Sequence, residues 1–121
     1  AGREPLVVLM RDAWVAETRA EAAEVYGPEV MAAYKYYWRN GLSEFRTIET
    51  EDEFTLNNLS ADRLILGTPD ECVADFQRWS ESVGADYFLL RLRHAHSGGP
   101  PHERIMETIR LFGEKVIPAC S

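Results

Sequence analysis

Residues 86–118 read DYFLLRLRHAHSGGPPHERIMETIRLFGEKVIP, and their pattern decides the fold. The opening DYFLLRLR alternates, as an extended strand does. Tyr87, Leu89, Arg91 and Arg93 share one face, and Phe88, Leu90, Leu92 and His94 share the other. Pro101 then opens a helix, since the first helical position needs no amide proton. Ile105, Ile109, Phe112 and Val116 recur at helical spacing and form its apolar stripe; Pro118 is expected to stop it. A strand, a Gly-Pro connection and an amphipathic helix make one βα unit.

The same unit recurs upstream. Leu64, Ile65, Leu66 and Gly67 form a short extended piece. Thr68, Pro69, Asp70 and Glu71 follow as a capping box with proline at the first helical position and acids at the positive helix end. Val73, Phe76, Trp79 and Val83 give that helix its stripe, and Gly84 ends it. Near the start, LVVLM (residues 6–10) is an unbroken apolar run, which predicts a strand buried on both faces. Thr18 and Glu21 make another box and open a helix. Gly27-Pro28 predicts a break or kink in it, with a second segment carrying Val30, Met31, Tyr34, Tyr37 and Trp38 and closing at Asn40-Gly41. Residues 42–62 show no sustained period. They predict a long connection with one helical turn, of the kind that serves as a lid, and their acids read as a solvated face.

Strands alternating with helices imply parallel pairing through right-handed crossovers, in a single segment spanning residues 1–121. Composition agrees with one globular core: 45% hydrophobic and 27% charged residues over 121 positions. A net charge of −7 argues against a nucleic-acid partner, which needs a basic surface. No apolar run reaches the ~20 residues of a membrane span. Cys72 and Cys120 fit no metal or redox spacing and read as reduced thiols of a cytoplasmic protein.

The connection RLRHAHSGGPPHE (residues 91–103) holds all three histidines and supports three readings. His94 and His96 on an extended strand, with His102, could ligate zinc. Ser97, Gly98 and Gly99 before a helix start, with Arg91 and Arg93 beside them, could receive an anion on exposed amides. An ordinary turn into a proline-started helix is the plainest account. Elsewhere, Tyr34, Tyr36, Tyr37 and Trp38 fit core or subunit packing better than a substrate pocket. Ser43, Ser60 and Ser97 lack a nucleophile elbow, and no two carboxylates pair as general acid and base.

Two or three parallel strands make a poor sheet alone, so the pattern points to a larger sheet or barrel. A (β/α)8 barrel takes roughly 250 residues, about twice this length. Three stretches resemble the C-terminal part of the luciferase-like monooxygenases, a family of flavin- or F420-dependent (β/α)8 barrels. They are RDAWVAETRAEA (residues 11–22), LGTPDECVADFQRW (residues 66–79) and GADYFLLRLRHAHSGGPPHERIMETIRLFGEKVIP (residues 84–118). Residues 42–62 match least.

The resemblance implies an α/β chain made of the C-terminal βα units of an incomplete TIM barrel. The parent would be an oxidoreductase or monooxygenase with FMN or F420 at the barrel mouth and a small organic molecule as substrate. Residues 94–99 would then lie on the active-site rim, beside Arg91 and Arg93. Arg91 would point inward and need a carboxylate from the part of the barrel outside this chain. The first five or six βα units are absent here, so the chain alone is expected to be inactive, to bind no cofactor and to self-associate through open strand edges. A non-catalytic, oligomerising α/β module is the alternative, and a small metal enzyme using His94, His96 and His102 is a third.

Overall fold

The computed structural model describes residues 6–42, 45, 47–93 and 99–120. Its centre is a parallel sheet of three strands: β1 (Val8–Val15), β2 (Leu64–Gly67) and β3 (Tyr87–Arg91). Helix α1 (Arg19–Arg39) follows β1. A 3-10 turn (Glu51–Glu53) and α2 (Leu56–Arg63) lead into β2, and α3 (Pro69–Val83) joins β2 to β3. Helix α4 (His102–Leu111) runs through one wide π turn (Phe112–Val116) into a short α5 (Ile117–Cys120). The strands are therefore those of the sequence pattern, and all of them pair in parallel.

Their order is β2-β1-β3, with β1 in the middle. Consecutive units of a barrel would instead place β2 in the middle, with every helix on one face. The difference follows from handedness. The crossover from β1 to β2 and the return from β2 to the far side of β1 run in opposite directions, so right-handed connections put their helices on opposite faces. The packing agrees. Asp12, Trp14, Leu64 and Leu66 face α1 with Tyr26, Val30 and Tyr34. Ala13, Val15 and Ile65 face α3 and the π turn with Cys72, Phe76, Phe112 and Val116. Two-sided cover is what three parallel strands need in isolation.

β1 has two unlike halves. Its carboxyl half pairs with β2 from Asp12 to Val15 and is buried; its amino half pairs only with β3. The run read as a strand buried on both faces is accordingly open, with Leu6 69% and Met10 50% exposed. Burial falls instead on the less apolar Asp12, Ala13, Trp14 and Val15.

Four local expectations are corrected. Helix α1 passes through Pro28 as one helix. Proline there costs about 3 kcal/mol, but Tyr26 and Val30 on either side of it are both buried in the same core, and Gly27 lies against Leu56. Residues 42–62 hold more structure than one turn, and Phe45, Phe54 and Leu59 are buried in the core with Trp14 and Tyr34. Pro118 does not stop the last helix but lies within α5. Pro101 caps α4 from outside. The capping box at Thr68 and Glu71 forms in both directions, and Gly84 ends α3 in the left-handed region at φ +67°. At Thr18 the hydroxyl accepts from the Glu21 amide at 3.1 Å.

Candidate functional site

Asp12 sits in mid-strand on the α1 face and is 5% exposed. Register places it beside both Arg91 and Leu64. Arg91 Nε donates to Asp12 Oδ1 at 2.6 Å and Nη2 approaches Oδ2 at 3.4 Å. Tyr34, from α1, donates its hydroxyl to Asp12 Oδ2. Tyr26, two turns earlier on α1, donates to the Arg91 carbonyl oxygen at 2.8 Å and stacks on Trp14. One carboxylate, one guanidinium and two phenols thus tie α1, β1 and β3 together. An open cavity of about 600 Å³ lies over them, lined also by Tyr37, Leu42, Phe45 and Arg63.

The electrostatics favour holding over proton transfer. Burial, then the Asp12 charge, pushes the Tyr34 hydroxyl above its ordinary range, and burial does the same to Tyr26. Both phenols stay protonated donors. The hydrogen bond to Asp12 raises Arg91 further, so it stays charged. A buried carboxylate surrounded by such donors accepts hydrogen bonds and positions its neighbours. General base catalysis would need a group poised to gain and lose a proton near neutrality.

A second crevice, about 540 Å³, opens at the carboxyl end of β1 between α1 and α4. Ligands of open α/β sheets usually occupy this end, where the strand order reverses. Glu17, Glu21, Glu107 and Glu114 line it with Arg104, Arg110 and Lys115. Arg104 pairs with Glu21 at 3.5 Å and with Glu107 at 3.2 Å. Beneath it, buried Thr108 Oγ1 accepts from the Val15 amide at 3.0 Å and donates to the Val15 carbonyl at 2.9 Å. β3 has ended by this point, and the threonine takes the place of a neighbouring strand.

Of the rim candidates, Arg91, Arg93 and Gly99 are described. Arg91 takes its place in the Asp12 cluster. Its carboxylate comes from this chain's own β1, where the sequence pointed to a part outside the chain. Gly99 is left-handed at φ +71°, and the stem of Arg93 lies where a side chain at Gly99 would go. His94, His96, Ser97 and Gly98 lie outside the described residues. His102 is exposed at the start of α4. Among the described residues no three of His, Cys, Asp and Glu converge as metal ligands. Asp12 and Thr108 were not singled out in the sequence, and Tyr34 was read there as core or subunit packing. One signal was available for Asp12: a lone acid inside an apolar strand calls for a cationic neighbour.

No protein-family model matches this chain. No curated protein matches it in sequence. Among solved structures it superposes on the oxygenating constituent of 3,6-diketocamphane monooxygenase from the CAM plasmid of Pseudomonas putida, a type II Baeyer-Villiger monooxygenase in complex with FMN. The TM-score is 0.61 at 16% identity. The likeness is one of fold. It covers 99% of this chain, which spans 36% of the length of that one. Among the described residues no helix is long and apolar enough to cross a membrane.

Proposed function

We propose that this chain is the carboxy-terminal portion of a flavin-dependent (β/α)8 oxidoreductase of the luciferase-like type, a cytoplasmic monooxygenase acting on a small organic substrate. The observation that carries the reading is agreement between two independent likenesses. The motifs of residues 11–22, 66–79 and 84–118 resemble that family in order and spacing, and nearly the whole chain superposes on an FMN-bound monooxygenase. FMN is favoured over F420 because the superposed structure holds FMN.

The described residues do not make an FMN cradle by themselves. The carboxyl-end crevice sets four carboxylates against three cations, and two of those carboxylates hold Arg104. A phosphate needs amides or unengaged cations there. In this reading the flavin is gripped chiefly by βα units preceding this segment. Arg91 and Asp12 tie β3 to β1 beneath α1, and residues 94–99 border the mouth. Full barrel closure requires β3 to lie beside β2, which the order β2-β1-β3 does not provide.

The coding region upstream of Ala1 tests the proposal. Five or six further βα units are expected, and the longer protein should quench FMN fluorescence on titration. An unrelated upstream domain, or a longer protein that ignores FMN, would overturn it; uptake of F420 instead would correct the cofactor.

A further inference from the structure

The guanidinium of Arg91 has two edges, and Asp12 occupies one of them. Nε and Nη2 face the carboxylate side-on, at 2.6 and 3.4 Å. The planar fork carries five N–H donors, so among the described residues the end-on edge, formed by Nη1 and the outer Nη2 proton, is left over. Asp12 is 5% exposed, whereas the Arg91 side chain is 36% exposed and lines the cavity of about 600 Å³. Arg63, the last residue of α2, brings a second cation. Its guanidinium lies 5.0 Å from the centroid of the Phe45 ring, and both residues line the same cavity. Arg11 lines it as well, but its guanidinium lies over Trp79 in the α3 layer and is not counted. Tyr37, Leu42 and Phe45 give the cavity an aromatic and aliphatic wall. Two cations against one carboxylate leave a single positive charge there, in a chain whose net charge is −7. Apart from Arg91, every lining residue lies between Met10 and Arg63, on β1, α1 and the connection to β2.

We propose that this cavity binds a small organic monocarboxylate with an aromatic body. The ligand carboxylate takes the end-on edge of Arg91, so that one guanidinium holds two carboxylates on its two edges. Arg63 supplies the second cation, and the sum of both arginines, Asp12 and the ligand is neutral. The ligand ring packs against Tyr37, Leu42 and Phe45. A dianion such as inorganic phosphate would leave a net negative charge beside a buried carboxylate, which sets the preference for a single charge. A neutral analogue would leave the outer edge of Arg91 to water. The cavity falls in the range of ligand pockets, roughly 300–1,000 Å³. It is open, so a ligand of this size is expected at a dissociation constant on the order of 1 mM. The cavity shares no lining residue with the carboxyl-end crevice, and the inference does not depend on the flavin reading.

Amide chemical-shift titration of the chain with phenylacetate tests it. Saturable shifts are expected at Tyr37, Leu42, Phe45 and Arg91. Phenylacetamide has the same body without the charge, acetate has the charge without the body, and inorganic phosphate has the wrong charge. Each should bind at least about tenfold more weakly than phenylacetate. Arg63→Gln should weaken phenylacetate about tenfold, and so should Arg91→Lys, which keeps a cation beside Asp12 but loses the fork. Arg104→Gln, in the carboxyl-end crevice, should bind like the parent. The same spectra show whether each variant is folded; where Arg91→Lys is not, Arg63→Gln decides. The absence of saturable shifts overturns the proposal, as do shifts confined to the residues around Arg104. So does a comparison ligand that binds as tightly as phenylacetate, or a folded Arg63→Gln protein that binds it like the parent.

Discussion

The two halves of β1 have swapped the fates their compositions suggest. The amino half is the more apolar and lies open; the carboxyl half contains Asp12 and lies buried. Neighbours account for this. The carboxyl half has β2 on one edge, α1 on one face and the α3 layer on the other, while Thr108 of α4 completes its second edge at Val15. The amino half has β3 and little else. Hydropathy states what a strand would accept as cover. Topology decides whether the cover arrives.

The contrast is most exposed to test at Asp12. Arg91→Ala leaves a carboxylate that is almost fully buried with only its tyrosine donor among the bonds described above. Breaking a buried pair costs about 3–5 kcal/mol, and since Arg91 itself reaches solvent the expected loss is nearer 2–3 kcal/mol. Urea unfolding at neutral pH would measure it. A loss below about 0.5 kcal/mol would mean that the cluster does not hold the sheet to α1. Tyr34→Phe should cost less, because one hydrogen bond is removed while the charge pair survives.

Val15 comes next. Thr108→Val keeps the shape and deletes the hydroxyl that serves both the amide and the carbonyl of Val15. Two buried backbone groups lose their partner, so about 2 kcal/mol is expected. Val15→Ala should cost a similar amount through lost burial and the cavity left behind. Met106→Ala, exposed on the same helix as Thr108, should lie within about 0.5 kcal/mol of the parent. Equal losses for Thr108→Val and Met106→Ala would remove the edge role assigned to the hydroxyl.

Local grammar was legible in the sequence. Thr68, Glu71 and Gly84 announce α3 because capping chemistry acts within four residues, and the alternation of residues 87–91 assigns the faces of β3 correctly. Strand order was not legible, since it depends on which edge each crossover reaches. Pro28 misled because the local cost of proline is outweighed by Tyr26 and Val30, whose partners are far away in the chain. Thr108 fell outside the chosen stripe, although Ile105, Thr108 and Phe112 also recur at helical spacing. The helix turns that face inward, leaving Ile109 exposed. In the candidate site, Arg91 was identified as needing a carboxylate, and that carboxylate is Asp12. Asp12 was missed because its pairing joins residues 79 positions apart.

A smaller effect is expected at the start of α3, on the well-covered side of the sheet. The Thr68 amide donates to Glu71 Oε1 at 3.0 Å, and this bond, with lesser help from Arg19, holds the Glu71 carboxyl below its ordinary range. Thr68→Ala should cost about 1 kcal/mol. The lowered folded value sets the sign of the pH effect. The contribution of Glu71 is in place above its unfolded value of roughly 4.3 and is lost as pH falls through the lower folded one. Glu71→Gln should therefore lose less stability than the parent between pH 6 and pH 3. Parallel losses in the two proteins would assign the acid sensitivity to other carboxylates.

The smallest effect is expected in the amino half, and it sharpens the comparison most directly. Val8→Ala makes the same chemical change as Val15→Ala, seven residues earlier in the same strand. The side chain of Val8 is 59% exposed, so little surface returns to water when it is trimmed. A change within about 0.5 kcal/mol is expected in dilute solution. The residual cost should come from strand propensity and from the neighbouring Tyr87 ring. If Val8→Ala approaches the cost of Val15→Ala in a sample that sediments as a monomer, the amino half is covered in solution, and the division of β1 into a closed and an open half fails.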